Sequence, residues 1–206
     1  MKKIMFNEKY GLQRAAIDGT KPMTRRAVKE NTIKDAEVYV QKIHGTGHDF
    51  LDYLLEKAPY KVGEVVAIAQ SYKDCGYDGD AKCGWCYDEN EEQTDVLYKD
   101  VPGWNNKMFV KSSRMPHAIR ITDVKVGRLQ DIRDEDCLRE GVLRREIKPF
   151  NTIEIKYQVP KTTIYKDTPR EPFAALIDKV SGRGTWEKNP WVFVYMYERY
   201  DTCKKN

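Results

Sequence analysis

The sequence has no apolar stretch long enough to cross a bilayer. Its longest uninterrupted run, WVFVYMY at residues 191–197, falls far short of the roughly 20 residues a spanning helix needs. The first residues, MKKIMFNEKYG, bring lysines but no apolar core of a secretory leader, so a cytoplasmic protein with no membrane partner is expected. Cysteine is scarce and odd in number. Cys75, Cys83, Cys86, Cys137 and Cys203 cannot all pair, which fits a reducing compartment and excludes a disulfide framework as the support of the fold. Cys83 and Cys86 form a C-x-x-C pair, with Cys75 eight residues earlier. Structural zinc wants four ligands, a second pair is missing, and His44, His48 and His117 join only through tertiary contact. Redox chemistry of the thioredoxin kind wants a βαβ context, which is missing too. The expectation is no metal and no cofactor, with free thiols in a loop. Internal repeats and low-complexity tails are also absent. Gly182-Arg183-Gly184 lacks the spacing and the Lys-Ser/Thr ending of a phosphate loop and reads as a turn. His48 and Asp52, four apart on a helix, read as an exposed pair.

What is present suits one large domain: 206 residues, 40% of them hydrophobic, are enough to bury a sizeable core. The net charge of +4 is unevenly spread, with +6 in residues 1–34 and −6 in residues 71–100. Composition alone favours two solvated faces, and it also allows a basic face to meet an anionic partner. Helices are expected over residues 7–17 (Asn7 as cap, Gly19 as stop), 48–57, 134–140 and 169–180. Strands are expected over residues 60–70, 107–111, 117–129, 152–158 and 191–197, the last central because it is apolar on both faces. In the third of these, Ile119 and Ile121 share one parity while Val124 and Val126 share the other, which calls for a bulge or turn near Asp123. Residues 72–106, rich in glycine, acid and turn chemistry, read as an acidic, cysteine-containing surface insertion. The mixed order of short strands and isolated helices points to an α+β fold.

Three separated pieces carry a resemblance. Gly19-Thr20-Lys21-Pro22-Met23-Thr24-Arg25-Arg26 supplies Gly, Lys two on, Thr three later and Arg two after that. Tyr60-Lys61-Val62-Gly63-Glu64 leads into a strand, and Arg128-Leu129-Gln130-Asp131-Ile132 runs on to Arg139-Glu140-Gly141-Val142. Together they resemble the ASCH family. The segment from Phe173 to Asp178, with Trp186 and Asn189-Pro190-Trp191-Val192, is similar to its longer phage-type and bacterial members. Pro22 departs from the threonine common there, and the cysteine-rich insertion has no counterpart in short members. The resemblance implies a single PUA-like β-pseudobarrel of mixed strands with peripheral short helices. It also implies binding of RNA or a modified nucleoside or nucleotide through Lys21, Thr24, Arg25, Arg26 and Glu140. Its second implication is an amidohydrolase acting on N4-acylated cytidine or a related small amide, with Lys21, Thr24 and Glu140 as the catalytic set. In that scheme a lysine of lowered pKa takes the proton of the threonine hydroxyl, which attacks the acyl carbonyl. Arg26 is the arginine that matches the motif. The same Lys, Thr and Glu would equally serve as a buried polar tie between the first loop and the 134–140 helix. In the binding reading an aromatic such as Tyr72, Trp85 or Trp104 stacks on a base. A third reading makes the acidic insertion a protein-interaction surface.

Overall fold

Short β-forming segments alternate with amphipathic helices. The computed structural model, which describes residues 1–84, 86, 92, 94–149 and 152–201, arranges the strands in two sheets. In chain order the elements are β1 (Lys3–Ile4), α1 (Leu12–Ile17), β2 (Met23–Ala27), α2 (Glu30–Ile43), α3 (Gly47–Glu56), β3 (Val65–Ile68) and β4 (His117–Arg128). They continue with α4 (Asp134–Arg139), β5 (Leu143–Ile147), β6 (Glu154–Gln158), β7 (Tyr165–Lys166), α5 (Arg170–Ser181), α6 (Thr185–Lys188) and β8 (Trp191–Asp201). The larger sheet has the order β1-β3-β4-β8-β2 and is mixed, since β1 runs parallel to β3 and β2 antiparallel to β8. The smaller sheet, β5-β6-β7, is antiparallel. The fold is α+β, with β8 inside its sheet as its two apolar faces require, and no closed barrel forms among the described residues.

The chain divides into two compact units. The first takes Met1–Phe6, Val65–Ile119 and the end of the chain from Tyr200, and the second takes Asn7–Glu64 and Arg120–Arg199. In the first unit, Ala67 and Ala69 at the end of β3 are covered by Tyr72, Cys83, Tyr98, Val110 and Met115. Tyr72 meets Tyr77 and Tyr98 edge-on, with ring centroids 5.3 and 5.4 Å apart, a favoured aromatic geometry. Burial pushes the Tyr98 phenol up to about 12. The segment expected as a surface insertion therefore supplies core side chains. Its described acids lie outside, as in the exposed pairs Lys99–Asp80 at 2.6 Å and Lys82–Asp95 at 2.5 Å. Cys75, Cys83 and Cys86 are free thiols, and Cys83 is wholly buried as a small hydrophobe. Burial raises Cys75 and Cys86 to about 11, away from nucleophilic character. Trp85 and Cys203 lie outside the described residues. Residues 107–111 are not the expected strand. They begin a pair of 3-10 turns, Lys107–Phe109 and Ser112–Arg114, because the Asn106 side chain accepts the Met108 N–H at 3.0 Å and fixes the turn locally.

In the second unit, Leu129, Ile132, Cys137, Val142, Phe173 and Val192 form the core around α4, α5 and β8, with Trp186 against Phe173. The buried positions of β4 do change parity, from Ile119 and Ile121 to Val124, across Thr122 and Asp123. Helix α2 has only Ala36 fully buried, and sequence reading missed it. Helix α3 starts on a capping box in which the Thr46 hydroxyl accepts from the His48 N–H and the Asp49 carboxylate accepts from the Thr46 N–H. Leu54 of the same helix is buried, and Phe50 packs on Trp191 at 5.4 Å. Thr46→Ala removes the cap and is expected to lower Tm by about 2–4 °C in thermal unfolding, the effect of one lost N-cap in a chain of this size. An unchanged Tm would mean that α3 is held by packing alone.

Candidate functional site

The site is built where the loop after α1 meets the loop after α4. Gly19 takes a left-handed φ of 78°, and the chain folds back so that the Lys21 N–H reaches the Ala15 carbonyl at 3.0 Å. This sends the Lys21 side chain inward, leaving the residue 2% exposed. Strand β2 follows, edge-paired to β8 in the register Met23↔Met196, Thr24↔Tyr195, Arg25↔Val194 and Arg26↔Phe193. From the other side α4 ends at Glu140, and Gly141, with φ of +107°, turns the chain toward β5.

One carboxylate collects two cations. The Lys21 ammonium donates to Glu140 Oε2 at 2.7 Å, to the Glu140 carbonyl at 2.6 Å and to the Met23 carbonyl at 2.8 Å. Arg25 donates to Glu140 Oε1 at 3.0 Å and reaches Asp136 at 3.5 Å, and Arg139 reaches the other oxygen of Asp136 at 3.4 Å. The side chains of Lys21, Arg25 and Glu140 are each at most 6% exposed, so these contacts lie in a medium where charges interact strongly. Burial lowers the pKa of Lys21 from 10.5, against the attraction of Glu140, which raises it. The neutral amine is therefore easier to reach than on a surface lysine.

The alternation of β2 separates the remaining residues. Side chains of a strand point to opposite faces in turn, so Met23 and Arg25 share one face while Thr24 and Arg26 share the other. Thr24 is 4% exposed, and its hydroxyl hydrogen-bonds to neither Lys21 nor Glu140. The structure thus brings Lys21, Arg25 and Glu140 together, whereas the Thr24-to-Lys21 proton path expected from sequence is not formed as a hydrogen bond. Thr24 stands across the ladder from Tyr195, whose ring meets Tyr60 edge-on at 5.3 Å. Tyr60, Tyr195 and Tyr197 all lie within electrostatic range of Arg26, and Tyr197 also senses Glu140. Burial drives the phenols of all three above their ordinary value.

These tyrosines were missed from sequence, although Phe193, Tyr195 and Tyr197 recur at the period of two that marks one strand face. Of the aromatics expected to stack, Tyr72 is instead buried in the core of the first unit and Trp104 is half-buried against it. Burying large rings there gains more than holding them ready for a ligand.

No group of three or more His, Cys, Asp or Glu side chains among the described residues is arranged to hold a metal ion. His48 and Asp52 sit 3.7 Å apart as an exposed helix pair. No helix among the described residues is long and apolar enough to cross a membrane. One cavity of about 450 Å³ lies between α2 and α3, lined by Tyr39, Tyr53, Asp49, Asp52, Glu56 and Lys57, away from Lys21 and Glu140. Comparison with protein-family models, with curated proteins and with solved structures returns no match to this chain.

Proposed function

We propose that this chain is an ASCH-type protein of PUA-like architecture that binds RNA or a modified nucleotide through Lys21, Thr24, Arg25, Arg26 and Glu140. The observation behind this reading is the two-sided character of β2. Behind the strand, Lys21 and Arg25 are locked onto Glu140, which fixes the strand and its loop. In front, Arg26 and the Thr24 hydroxyl stand beside Tyr60, Tyr195 and Tyr197. Arg26 supplies a charge-assisted donor for a phosphate or a base edge, and of the three rings Tyr60 is the one partly open to a base, Tyr195 and Tyr197 being buried.

A second reading is favoured by the lowered pKa of Lys21. As a neutral amine it would accept the Thr24 proton, the Thr24 oxygen would bond to the acyl carbon of an N4-acylated cytidine, and the cytosine amine would leave carrying a proton. Water would then release the acid from the threonyl ester. This needs the Thr24 hydroxyl to come within hydrogen-bond reach of Lys21.

The test measures RNA binding at low and moderate salt beside turnover of N4-acetylcytidine, for the native chain, Arg26→Ala and Thr24→Val. The expected result is binding that weakens steeply with salt and falls about tenfold in Arg26→Ala, with no turnover. Turnover abolished in Thr24→Val would establish the amidohydrolase instead. Neither binding nor turnover would remove both readings.

A further inference from the structure

The hairpin of α2 and α3 carries the opposite sign to the rest of the chain. Residues 30–57 hold six acids against three lysines, in a protein whose net charge is +4. The outer helix also keeps large apolar side chains in solvent, with Val38, Tyr39 and Ile43 each more than two-fifths exposed. The cavity of about 450 Å³ between the two helices falls within the range of about 300 to 1,000 Å³ usual for ligand clefts.

Its walls offer two kinds of chemistry. One is aromatic: Tyr39 of α2 and Tyr53 of α3 both line the cavity, and their ring centroids lie 4.9 Å apart with planes inclined by 32°. The other is anionic. Asp49, Asp52 and Glu56 follow one another along α3 at steps of three and four, the spacing that sets side chains on one side of a helix. Asp49 is anchored, since one of its oxygens accepts both the N–H and the hydroxyl of Thr46, and those bonds hold its pKa below the usual carboxylate range. Asp52 has the exposed His48 beside it at 3.7 Å.

The chain itself brings a cation to this wall. The Lys57 ammonium stands 5.2 Å from the centroid of the Tyr53 ring and 3.9 Å from the Glu56 carboxylate. The second distance is longer than a hydrogen bond, so Lys57 is a loosely held occupant of a position that favours positive charge. A metal ion is a poor match, because the carboxylates are spread along about two turns and no group of three His, Cys, Asp or Glu among the described residues is arranged to hold one. A planar guanidinium is a good one. It lays a flat face on an aromatic ring while its five donors reach acceptors spread around its edge.

We propose that the α2–α3 cavity binds a guanidinium group, which stacks on the tyrosine wall, bonds to Asp52 and Glu56 and takes the place of Lys57. Free arginine and an arginine side chain in a peptide present this same group, and the experiment separates them. The assignment is independent of the Lys21 site and of what that site binds.

The experiment titrates the full chain with arginine, with a capped Gly-Arg-Gly peptide and with the matching Gly-Lys-Gly peptide, followed by proton–nitrogen NMR. Shift changes are expected to concentrate in α2 and α3, with the lysine peptide at least about fivefold weaker, since an ammonium cannot stack and fork at once. Tighter binding of the arginine peptide than of arginine assigns the site to a chain segment, and equal binding assigns it to a small molecule.

Tyr39→Leu, which keeps apolar packing, and Glu56→Gln are each expected to weaken the arginine peptide about two- to fivefold. Lys57→Met is expected to act the other way and strengthen it about two- to fivefold, because the competing cation is gone. The native Tm of each variant is checked first. Equal binding of the lysine and arginine peptides would reduce the site to unspecific attraction of charge and overturn the proposal. So would shifts centred outside α2 and α3, no binding at millimolar concentration, or an affinity that Lys57→Met leaves unchanged or weakens.

Discussion

Glu140→Gln is expected to be the most damaging single change of charge in this protein, costing about 3–5 kcal/mol of unfolding free energy, since it leaves two buried cations without their shared carboxylate. Lys21 and Arg25 both reach Glu140 at 3.0 Å or less, and all three side chains are almost wholly enclosed. Solvent can do little to screen what remains. In a chain of this size the loss corresponds to a fall in Tm on the order of 10 °C. Lys21→Met is expected to cost less, because Glu140 keeps Arg25 as its counter-ion. The double variant should be less damaged than the two single losses summed, since the residues act as one network.

The pH dependence follows from the Lys21 shift, in a definite direction. Its pKa in the folded chain lies below the 10.5 of an ordinary lysine, burial being the larger cause. Between those two values the unfolded chain binds more protons than the folded one, so stability rises with pH across that window and the burial penalty is fully present below it. The difference in unfolding free energy between the native chain and Lys21→Met, measured by urea titration, should therefore shift toward the native chain as pH climbs toward 10.5. A difference independent of pH would mean that Lys21 titrates alike in the folded and unfolded chains, and the neutral-amine route to catalysis would lose its support.

Gly141→Ala is the second large effect expected. At φ of +107° any side chain is strained, and an added Cβ would lie 2.9 Å from Leu12 Cδ2 and 3.7 Å from Lys21 Cδ. Left-handed strain and overpacking together are expected to cost roughly 2–4 kcal/mol. Gly19→Ala is the control: its φ of +78° is also left-handed, but nothing lies within 4 Å of the new carbon, so only the conformational part remains. The excess loss in Gly141→Ala over Gly19→Ala measures the clash.

The consequence for function is specific. Gly141 follows Glu140, whose carbonyl and carboxylate both hold Lys21, so a backbone shift that relieves the strain at residue 141 displaces the ion pair. Ligand binding or turnover at the Lys21 site should fall in Gly141→Ala under conditions where the variant is still folded by circular dichroism. Retained function with lost stability would show that the pair supports the fold without shaping the ligand face.

Much was written in local patterns. The apolar stripe of Phe50, Leu51, Leu54 and Leu55 marked α3, Val- and Ile-rich runs marked β3 and β4, and seven consecutive apolar residues marked β8 as an inner strand. The meeting of Lys21 with Glu140, 119 positions apart, was reached only through the resemblance, since nothing local encodes so distant a contact. Helix α2 carries Ile33, Ala36, Val40 and Ile43 at helical spacing, yet its sparse apolar content hid it among charged residues.

Tertiary structure decided the rest because pairing partners decide it. Met23-Thr24-Arg25-Arg26-Ala27 looks like a solvated charged stretch, and it is a strand because β8 offers a ladder to its backbone. That pairing turns Thr24 and Arg26 to the face opposite Arg25 and sets Thr24 across the ladder from Tyr195. Residues 72–106 read as loop by composition, but Tyr72 and Tyr98 found an apolar wall at the end of β3 and became core. Charge, periodicity and turn chemistry act over a few residues and are legible in the sequence. Which face a side chain joins, and what it meets there, depends on segments far away along the chain.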